Sequence, residues 1–378
     1  MNTKILNIVC IAVLGTILTL GLWPFHAPKN DVTWLRERNG LSLGRYGTVI
    51  GSGVFEMANS HRNELFGSLE IRLQPKRIWD SGTFLAFCTP DDPFRFSMRQ
   101  SQTDLRLQAA IRNDRNRRRT ANLYVYDVFH KARPSFLTIT SGTNGTAIYI
   151  DGALARRAPQ FRLPASQLTG RVVLGGSPGQ PDSWKGQLLG LAIYDRELTP
   201  AQLWKHYQTW TQAGRPEIQE DEGNVALYLF DEHAGNVVHN RANSGAELSI
   251  PEKYVVVDQV FLQPFWTEFE MSRSYWSAVL KNIIGFVPFG FCFCARLSVA
   301  RRVQRAALTA VVLGALVSLT IEILQAYLPT RDSGMTDIIT NTLGTWFGVL
   351  LFRSKANQAF FAMLGHWNDA RIGGPRGD

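Results

Sequence analysis

Six polar residues near the C-terminus lie within or beside segments that are otherwise apolar enough to enter a membrane. They are Asn282, Glu322, Gln325, Arg331, Asp337 and Asn341. Glu322 and Gln325 are three residues apart, so they share one face of a helix. Asp337 and Asn341 are four apart and share a face in the same way. Because ionisable groups are costly inside a bilayer and usually serve a site there, we expect one polar pocket in the outer leaflet.

The expected pocket admits two kinds of chemistry. As a binding site, it would engage the headgroup of an envelope amphiphile. As an active site, Glu322 or Asp337 would act as acid or base on a lipid-linked envelope precursor, with Arg331 holding a phosphate. No histidine, serine or cysteine nucleophile accompanies the six residues in the sequence, which favours binding over catalysis.

A structural alternative is a polar clasp between helices. In that interpretation Glu322 hydrogen-bonds Asn282 or Asn341 and fixes the packing of the helices. Small residues would allow close approach of the helix backbones. The candidates are Gly285, Gly344 and Gly348.

Four apolar runs predict four transmembrane helices. They cover residues 5–23, 276–297, 306–328 and 335–352. Each has about 18–23 residues, close to the roughly 20 that cross a hydrocarbon core. The first run also has the form of a cleaved signal peptide, but residues 21–24 offer no small-x-small cleavage site. Trp23 and Phe25 favour a retained helix with an interfacial anchor.

Basic residues near the helix ends predict the orientation. The loop between the second and third helices contains Arg296, Arg301, Arg302 and Arg305 and no acidic residue. The loop around Arg331 is nearly neutral by comparison. Because basic loops stay in the cytoplasm, we expect an inner-membrane protein with both termini cytoplasmic and residues 25–275 outside. The formal net charge of +9 then reflects membrane orientation more than nucleic-acid binding.

The region between the first and second helices has the two-residue period of β-strands. Runs such as SLEIRLQP, DLRLQAAI and SFLTITS are separated by glycine, proline, asparagine and aspartate. Asn144-Gly145 and Asp151-Gly152 predict tight turns. This pattern is typical of an antiparallel sandwich or jelly roll.

The late strands of this region carry a family resemblance. The residues concerned are Gly175-Gly176, Trp184, Gly186, Ile193 to Arg196 and Leu198 to Pro200. In this order they resemble the laminin-G-like, concanavalin A-like jelly rolls. The resemblance implies the fold and leaves the activity open, because this fold hosts many activities. Some related folds are glycosidases, but no strand here contains their clustered E-x-D-x-x-E pattern.

Two features of the sandwich are candidate ligand sites. An arginine-rich loop would grip an anionic glycan or headgroup, or would be only a solvated hairpin tip. Its arginines are Arg112, Arg115, Arg117, Arg118 and Arg119. Asp151 and Asp195 are candidate calcium ligands that also fit ordinary turn positions. We otherwise expect no metal or cofactor.

Residues 216–275 predict a connection between the sandwich and the membrane helices. Glu220-Asp221-Glu222 has the composition of a solvated linker. Residues 224–245 resemble the opening strand of a jelly roll, so they form either closing strands of the same sandwich or a fragment of another. Phe261, Phe265 and Phe269 recur every four residues and predict a segment in the membrane interface, interrupted at Pro264.

The C-terminal helices resemble the VanZ-like membrane family. The matching residues are Asn282, Phe286, Pro288 and Gly290; Glu322, Gln325, Pro329 and Arg331; and Asp337, Asn341 and Gly344. The departure from the family is the large sandwich inserted after the first helix. The resemblance implies a cell-envelope context. The founding member of the family gives low-level resistance to the glycopeptide teicoplanin.

These features predict a multi-domain membrane protein with four VanZ-like helices and an all-β laminin-G-like sandwich between helices 1 and 2. Its segments are helix 1 (1–24), the sandwich (25–215), closing strands and linker (216–275), helices 2–4 (276–352) and a cytoplasmic tail (353–378). We expect the sandwich to bind an envelope glycan or a lipid-linked saccharide while the helices engage an amphiphile in the bilayer. The alternatives are an enzyme acting on a lipid-linked precursor and a pure interaction scaffold. We expect no nucleic-acid partner, because the sandwich lies outside the cell.

Overall fold

A computed structural model describes residues 3–55, 67–112, 118–242, 246–269, 271, 273–299 and 303–354. The chain divides into two compact units. One unit, called the β unit below, is Ala27–Gln259. The other, called the helical unit, combines Met1–His26 with Val260–Asp378.

The β unit consists of two antiparallel sheets of eight strands each. The first sheet contains β1 (Val32–Trp34), β2 (Leu41–Leu43), β4 (Ser68–Pro75), β9 (Ser135–Gly142), β10 (Gly145–Ile150), β11 (Ala153–Ala158), β13 (Gly186–Tyr194) and β14 (Asn224–Tyr228). The second contains β3 (Val49–Gly51), β5 (Ser81–Thr89), β6 (Asp92–Ser101), β7 (Asp104–Arg112), β8 (Arg118–Val125), β12 (Arg171–Leu174), β15 (Val237–Val238) and β16 (Leu248–Ser249).

The strand order confirms the expected jelly-roll-like sandwich. The first sheet runs β1-β2-β13-β4-β9-β10-β11, with β14 also paired to β13. The second runs β15-β16-β3-β12-β5-β6-β7-β8. Neighbours in space are often distant in sequence, as in the pairing of β13 with β4. Such pairings are typical of jelly rolls.

Local turn chemistry explains the hairpins that the sequence predicted. Gly142 pairs with Gly145, so the Asn144-Gly145 turn joins β9 to β10. Asp151 and Gly152 have φ angles of +50° and +79°, as a tight hairpin turn between β10 and β11 requires. Strand β6 was not predicted, although the buried Phe96 and Met98 alternate there with partly exposed neighbours in the two-residue period.

The core lies between the two sheets and is built from the inward-facing side chains of both. Phe84 and Trp184 meet edge to face, with ring centroids 5.8 Å apart. The indole N–H of Trp184 donates to Oε1 of the buried Gln100 at 2.7 Å. This bond satisfies the polar groups that burial of the two side chains would otherwise leave unpaired.

The strands after residue 215 close the same sandwich. β14 pairs with β13, and β16 pairs with β3. Tyr228 and Phe230 are buried in the main core. A helix, α2 (Pro200–Gln212), covers the outer face of the first sheet through Leu203 and Trp210.

The helical unit contains α1 (Thr3–Leu22), α3 (Phe265–Glu268), α4 (Arg273–Ser298), α5 (Val303–Gln325) and α6 (Met335–Arg353). Among the described residues, three segments are long and apolar enough to cross a membrane: Thr3–Leu22, Tyr275–Ser298 and Arg305–Gln325. These segments are consistent with a membrane protein. The fourth expected span forms the helix α6 but is not among them, because threonine, aspartate and asparagine residues reduce its apolar character.

Glycines set the close packing of α4 against α6. A Cβ atom added at Gly344 would lie 2.2 Å from the carbonyl oxygen of Ile283, and one at Gly348 would lie 2.1 Å from that of Val287. A Cβ atom added at Gly290 would likewise lie 1.9 Å from the carbonyl oxygen of Thr345. The expected role of Gly285 is wrong, because no atom lies within 4 Å of the corresponding position.

The aromatic segment before α4 is interrupted as Pro264 predicted. Only the four residues of α3 are helical there, and the proline precedes the first of them. Phe261, Phe265 and Trp266 are all exposed. An exposed aromatic cluster next to apolar helices is typical of a membrane interface.

Candidate functional site

Glu322 lies in the last turn of α5, because that helix ends at Gln325 and not at Leu328 as the sequence suggested. Its side chain is 1% exposed. Oε2 accepts a hydrogen bond from the backbone N–H of Gly334 at 2.8 Å. Ser333 donates from Oγ to the backbone carbonyl of Glu322 at 3.0 Å. Neither of these bonds involves Asn282 or Asn341, the partners that the sequence suggested. Glu322 therefore links α5 to the loop before α6.

A second carboxylate, which the sequence analysis missed, lies beside the first. Glu268 of α3 accepts from both the backbone N–H and the hydroxyl of Thr336, the former at 2.9 Å. A Cβ atom at Gly334 would lie 1.6 Å from its Oε1. Glu268 and Glu322 therefore both approach the first turn of α6. Carboxylates at a helix N-terminus satisfy unpaired N–H groups and match the positive end of the helix dipole.

The two asparagines of the predicted pocket bind different partners. Asn282 of α4 donates from Nδ2 to Oδ1 of Asp337 at 2.8 Å. Asn341 donates from Nδ2 to Oγ of Ser318 on α5 at 2.9 Å. Each bond joins a pair of helices, α4 with α6 and α5 with α6. Together they fix the rotation of α6, whose polar face is buried at Thr340 and Asn341.

Gln325 and Arg331 both contact the C-terminal end of α1. Gln325 donates from Nε2 to the carbonyl of Gly21 at 2.8 Å. Arg331 donates from Nη2 to the carbonyls of Leu20 and Trp23, at 3.2 and 2.6 Å. The last carbonyls of a helix have no partner within it, and a cation there also matches the helix dipole.

The structure thus places all six residues at one end of the helical unit but divides them among separate interhelical contacts. Two buried acceptors have no hydrogen-bond donor among the described residues, namely Oε1 of Gln325 and Oδ1 of Asn341. Buried polar atoms of this kind normally have a partner, which a ligand or an ordered water can supply. These two oxygens can accept from a hydroxyl, an amide or an ammonium group.

The arginine-rich loop joins β7 to β8. Arg112 and Arg118 are register partners at the end of this hairpin, and Arg119 is exposed. Arg115 and Arg117 lie outside the described residues. The hairpin ladder continues from this tip through Gln108 paired with Asn122 and Arg106 paired with Tyr124.

The outer face of β6, β7 and β8 carries polar and aromatic side chains in two rows across the strands. The first row is Ser97, Gln108 and Asn122, and the second is Arg99, Arg106 and Tyr124. These residues alternate with core residues along each strand, so they lie on the face directed away from the other sheet. We call this surface the polar face.

Arg106 organises the polar face. Its Nε and Nη2 donate to Oδ1 of Asn122 at 3.1 and 3.0 Å. Its guanidinium lies over the ring of Tyr124, 5.6 Å from the centroid, and this ring is parallel to that of Tyr126. Tyr126 is 72% exposed. An exposed aromatic surface beside fixed N–H donors can hold a sugar ring by its apolar side and its polar substituents.

Asp151 and Asp195, the calcium candidates, occupy separate turns. Asp151 accepts from the backbone N–H of Phe136 at 2.9 Å. Asp195 accepts from Nε of Arg196 at 3.3 Å. Among the described residues, no group of three or more histidine, cysteine, aspartate or glutamate side chains is placed to hold a metal ion.

The acidic run at residues 220–222 is not a solvated linker throughout. Glu222 is buried against Nε2 of the buried His206, at 3.0 Å. Sequence reasoning missed this pair because a charge run favours solvent exposure. The available signal was on α2, where His206 falls between Leu203 and Trp210 on one apolar face.

Comparison with protein families confirms both resemblances, in the order that the motifs indicated. Residues 201–360 match the VanZ/LLP1 family, and residues 66–203 match the concanavalin A-like lectin/glucanases superfamily. The VanZ match therefore begins in α2 and includes the last strands of the β unit. No curated protein sequence matches the chain.

Several solved structures are similar at low identity. A proposed carbohydrate binding protein from Bacteroides ovatus is 12% identical, with a TM-score of 0.39, over 61% of this chain and 62% of that one. The Ruminococcus gnavus sialidase module CBM40, bound to sialyllactose, is 14% identical, with a TM-score of 0.33, over 44% and 95%. A pentraxin from Limulus polyphemus is 13% identical, with a TM-score of 0.31, over 57% and 100%. The chain thus spans less than two thirds of the Bacteroides ovatus protein.

Proposed function

We propose that this chain is a membrane protein of the bacterial cell envelope whose β unit binds an acidic glycan. The observation that carries the proposal is the polar face, where Arg106, Asn122 and Tyr124 form one connected group on the open side of a sheet. The match to the lectin and glucanase superfamily supports a carbohydrate ligand.

The charge of the surface favours an acidic glycan over a neutral one. Arg106 lies on the polar face, and the hairpin that carries it ends in the arginine-rich loop. The planar guanidinium matches the two oxygens of a carboxylate or phosphate. A glycan bearing uronic acids or phosphates would stack a sugar ring on Tyr124 and Tyr126 while its anionic groups reach the arginines.

The helical unit would hold the protein in the inner membrane, with both termini in the cytoplasm and the β unit outside. The VanZ match supports an envelope setting for these helices, and a link to glycopeptide resistance is part of this proposal. Gln325 and Asn341 each present a buried acceptor for which the described part of the chain supplies no donor, which would suit the polar headgroup of an amphiphile. Glu322 and Arg331 bond to the backbone, which favours binding or scaffolding over acid–base catalysis.

A binding experiment with the full chain in lipid nanodiscs tests the glycan proposal. Alginate, a polymer of uronic acids, is compared with dextran, a neutral polymer. We expect saturable binding of alginate and weak binding of dextran. Arg106→Ala and Tyr124→Ala should each weaken alginate binding by about tenfold, equivalent to roughly 1.4 kcal/mol.

Arg45→Ala is the matched control, because Arg45 also lies over a tyrosine ring, that of Tyr46 at 5.2 Å, but follows β2 and is not on β6, β7 or β8. This variant should bind alginate as the unmodified protein does. Equal binding of both polymers, or equal losses in the Arg45 and Arg106 variants, would contradict the proposal.

A further inference from the structure

A histidine of the β unit is fully buried between two carboxylates. His206 is on α2, Glu70 is on β4, and Glu222 is in the short 3₁₀ turn Glu220–Glu222. His206 and Glu70 have no exposed surface, and Glu222 is 1% exposed. Charged groups are buried at a large cost unless they are paired and hydrogen-bonded, so the stability of this cluster depends on its protonation.

Each ring nitrogen of His206 faces a carboxylate oxygen. Nδ1 lies 3.0 Å from Oε1 of Glu70, and Nε2 lies 3.0 Å from Oε2 of Glu222. A neutral imidazole carries a single N–H, so it would direct a lone pair toward one of the two carboxylates. An imidazolium ring donates to both groups, so it satisfies both contacts while the two carboxylates stay ionised.

Among the described residues, the other side chains that hydrogen-bond the cluster are neutral donors. Tyr194 donates from its hydroxyl to Oε2 of Glu70 at 2.8 Å and lies against the imidazole with ring centroids 5.6 Å apart. The indole N–H of Trp210 lies 3.4 Å from the same oxygen. Burial, reinforced by the charge of Glu70, raises the pKa of Tyr194 well above its usual value, so this tyrosine stays protonated.

The balance of forces on His206 favours its charged form. Burial by itself lowers its pKa, but the hydrogen bonds and negative charges of Glu70 and Glu222 outweigh this effect and raise the pKa above its ordinary value. The hydrogen-bond geometry and the electrostatics therefore both favour a doubly protonated His206.

Glu222 connects this cluster to the closing strands of the sandwich. Its Oε2 also accepts from the backbone N–H of Gln219 at 2.8 Å. The carbonyl of Gly223 accepts from the backbone N–H of Asp195 at 2.9 Å, and β14 begins at the next residue. Loss of the bond between His206 and Glu222 would loosen the segment that leads into β14.

We propose that Glu70, His206 and Glu222 form a proton-dependent clamp that fastens residues 219–228 to the first sheet while His206 is doubly protonated and loosens them when it loses a proton. This regulation by pH is separate from glycan binding on the polar face of the second sheet. When His206 loses a proton, a neutral imidazole ring remains between the two carboxylates. Their negative charges are then no longer balanced by the positive charge of the ring.

The direction of the pH effect follows from the raised pKa. When the segment opens, His206 keeps its contact with Glu70 and loses the one with Glu222, so its pKa falls below that of the closed form. The clamp is therefore at full strength at a pH below the pKa of the open form and weakens as the pH rises through the higher pKa of the closed form. Between these two pKa values, the equilibrium constant for opening should increase by about tenfold per pH unit.

Hydrogen exchange of the full chain in nanodiscs, measured by mass spectrometry from pH 5 to 9, tests the clamp. Rates are corrected for the intrinsic pH dependence of exchange. We expect peptides covering residues 219–228 to lose protection above pH 6.5, while peptides of β6 and β7 keep theirs. The ring resonances of His206, followed by NMR with labelled histidine, should give a pKa above 6.5.

His206→Gln should abolish the pH-dependent part of the protection of residues 219–228, and Glu222→Gln should lower the pKa of His206. His239→Gln is the matched control, because His239 also faces two carboxylates, Glu232 and Glu247, but is 53% exposed. It should leave the pH profile unchanged. A His206 pKa at or below 6.5 in the unmodified protein, or a profile unaltered in a folded His206→Gln variant, would overturn the proposal.

Discussion

Gln325, the last residue of α5, donates a hydrogen bond from Nε2 to the carbonyl of Gly21 in the last turn of α1, at 2.8 Å. Arg331 adds bonds to two further carbonyls at the same helix end. These side chains cap α1 from outside, so the first helix is an integral part of the helical unit.

The capping contacts predict that Gln325→Leu and Arg331→Leu destabilise the helical unit. We expect a loss of about 1 kcal/mol for the glutamine, as for other interhelical hydrogen bonds in membranes. Arg331→Leu should lower the free energy of unfolding by about 1.5–3 kcal/mol, because the lost hydrogen bonds involve a charged donor. Thermal unfolding in nanodiscs measures both effects. Tyr327→Ala, at a position 81% exposed in the loop between them, is the control and should change the melting temperature least.

Glycine packing predicts opposite results for two substitutions in the helices. Gly344→Ala should lower the melting temperature, because the added Cβ would lie 2.2 Å from the backbone oxygen of Ile283 and force α4 and α6 apart. Gly285→Ala meets no atom within 4 Å and should be neutral or slightly stabilising, since alanine favours helix by up to about 1 kcal/mol. Similar losses in both variants would show that α4 and α6 do not pack through these glycines.

The bond between Glu322 and the Gly334 backbone predicts a difference between Gln and Leu at position 322. Glu322→Gln retains an acceptor and should keep the melting temperature. Glu322→Leu leaves the N–H of Gly334 unpaired and should cost about 1–3 kcal/mol. Glycopeptide sensitivity of cells carrying Glu322→Gln then separates the roles: a lost phenotype with normal melting supports a charged site, and a normal phenotype supports a structural clasp.

The position of the closing strands predicts where the β unit can be cut. A fragment of residues 27–259 should fold alone and show a β-sheet signal by circular dichroism with cooperative unfolding. A fragment of residues 27–215 should not fold stably, because it lacks the core side chains Ala226, Tyr228 and Phe230. Equal stability of the two fragments would show that the strands after residue 215 are dispensable.

The arginine distribution predicts the topology of the helices. In a protein whose four native cysteines are replaced, Val299→Cys and Tyr327→Cys should react with an impermeant thiol reagent from opposite sides of the membrane. Both positions are exposed, so accessibility within the fold does not limit labelling. Labelling of the cysteine at position 299 in intact spheroplasts would reverse the proposed orientation.

The sequence by itself determined the elements and their order. Apolar runs of suitable length predicted the long apolar helices, the two-residue period predicted most of the long strands, and the spacing of motif residues indicated both family resemblances. These features are readable because helix and strand periods depend on local backbone geometry. The same periodicity correctly placed Asp337 and Asn341 on one face of α6.

Only the tertiary structure decided which polar groups meet. The sequence suggested asparagine partners for Glu322, whereas the fold supplies the backbone N–H of Gly334 and brings Glu268 beside it. Likewise, Glu70 is 136 residues from His206, and Glu222 belongs to a charge run that indicated solvent exposure. Spacing along the chain fixes which side chains share a face, but the packing of one element on another determines what that face contacts, and burial then determines which charges must pair.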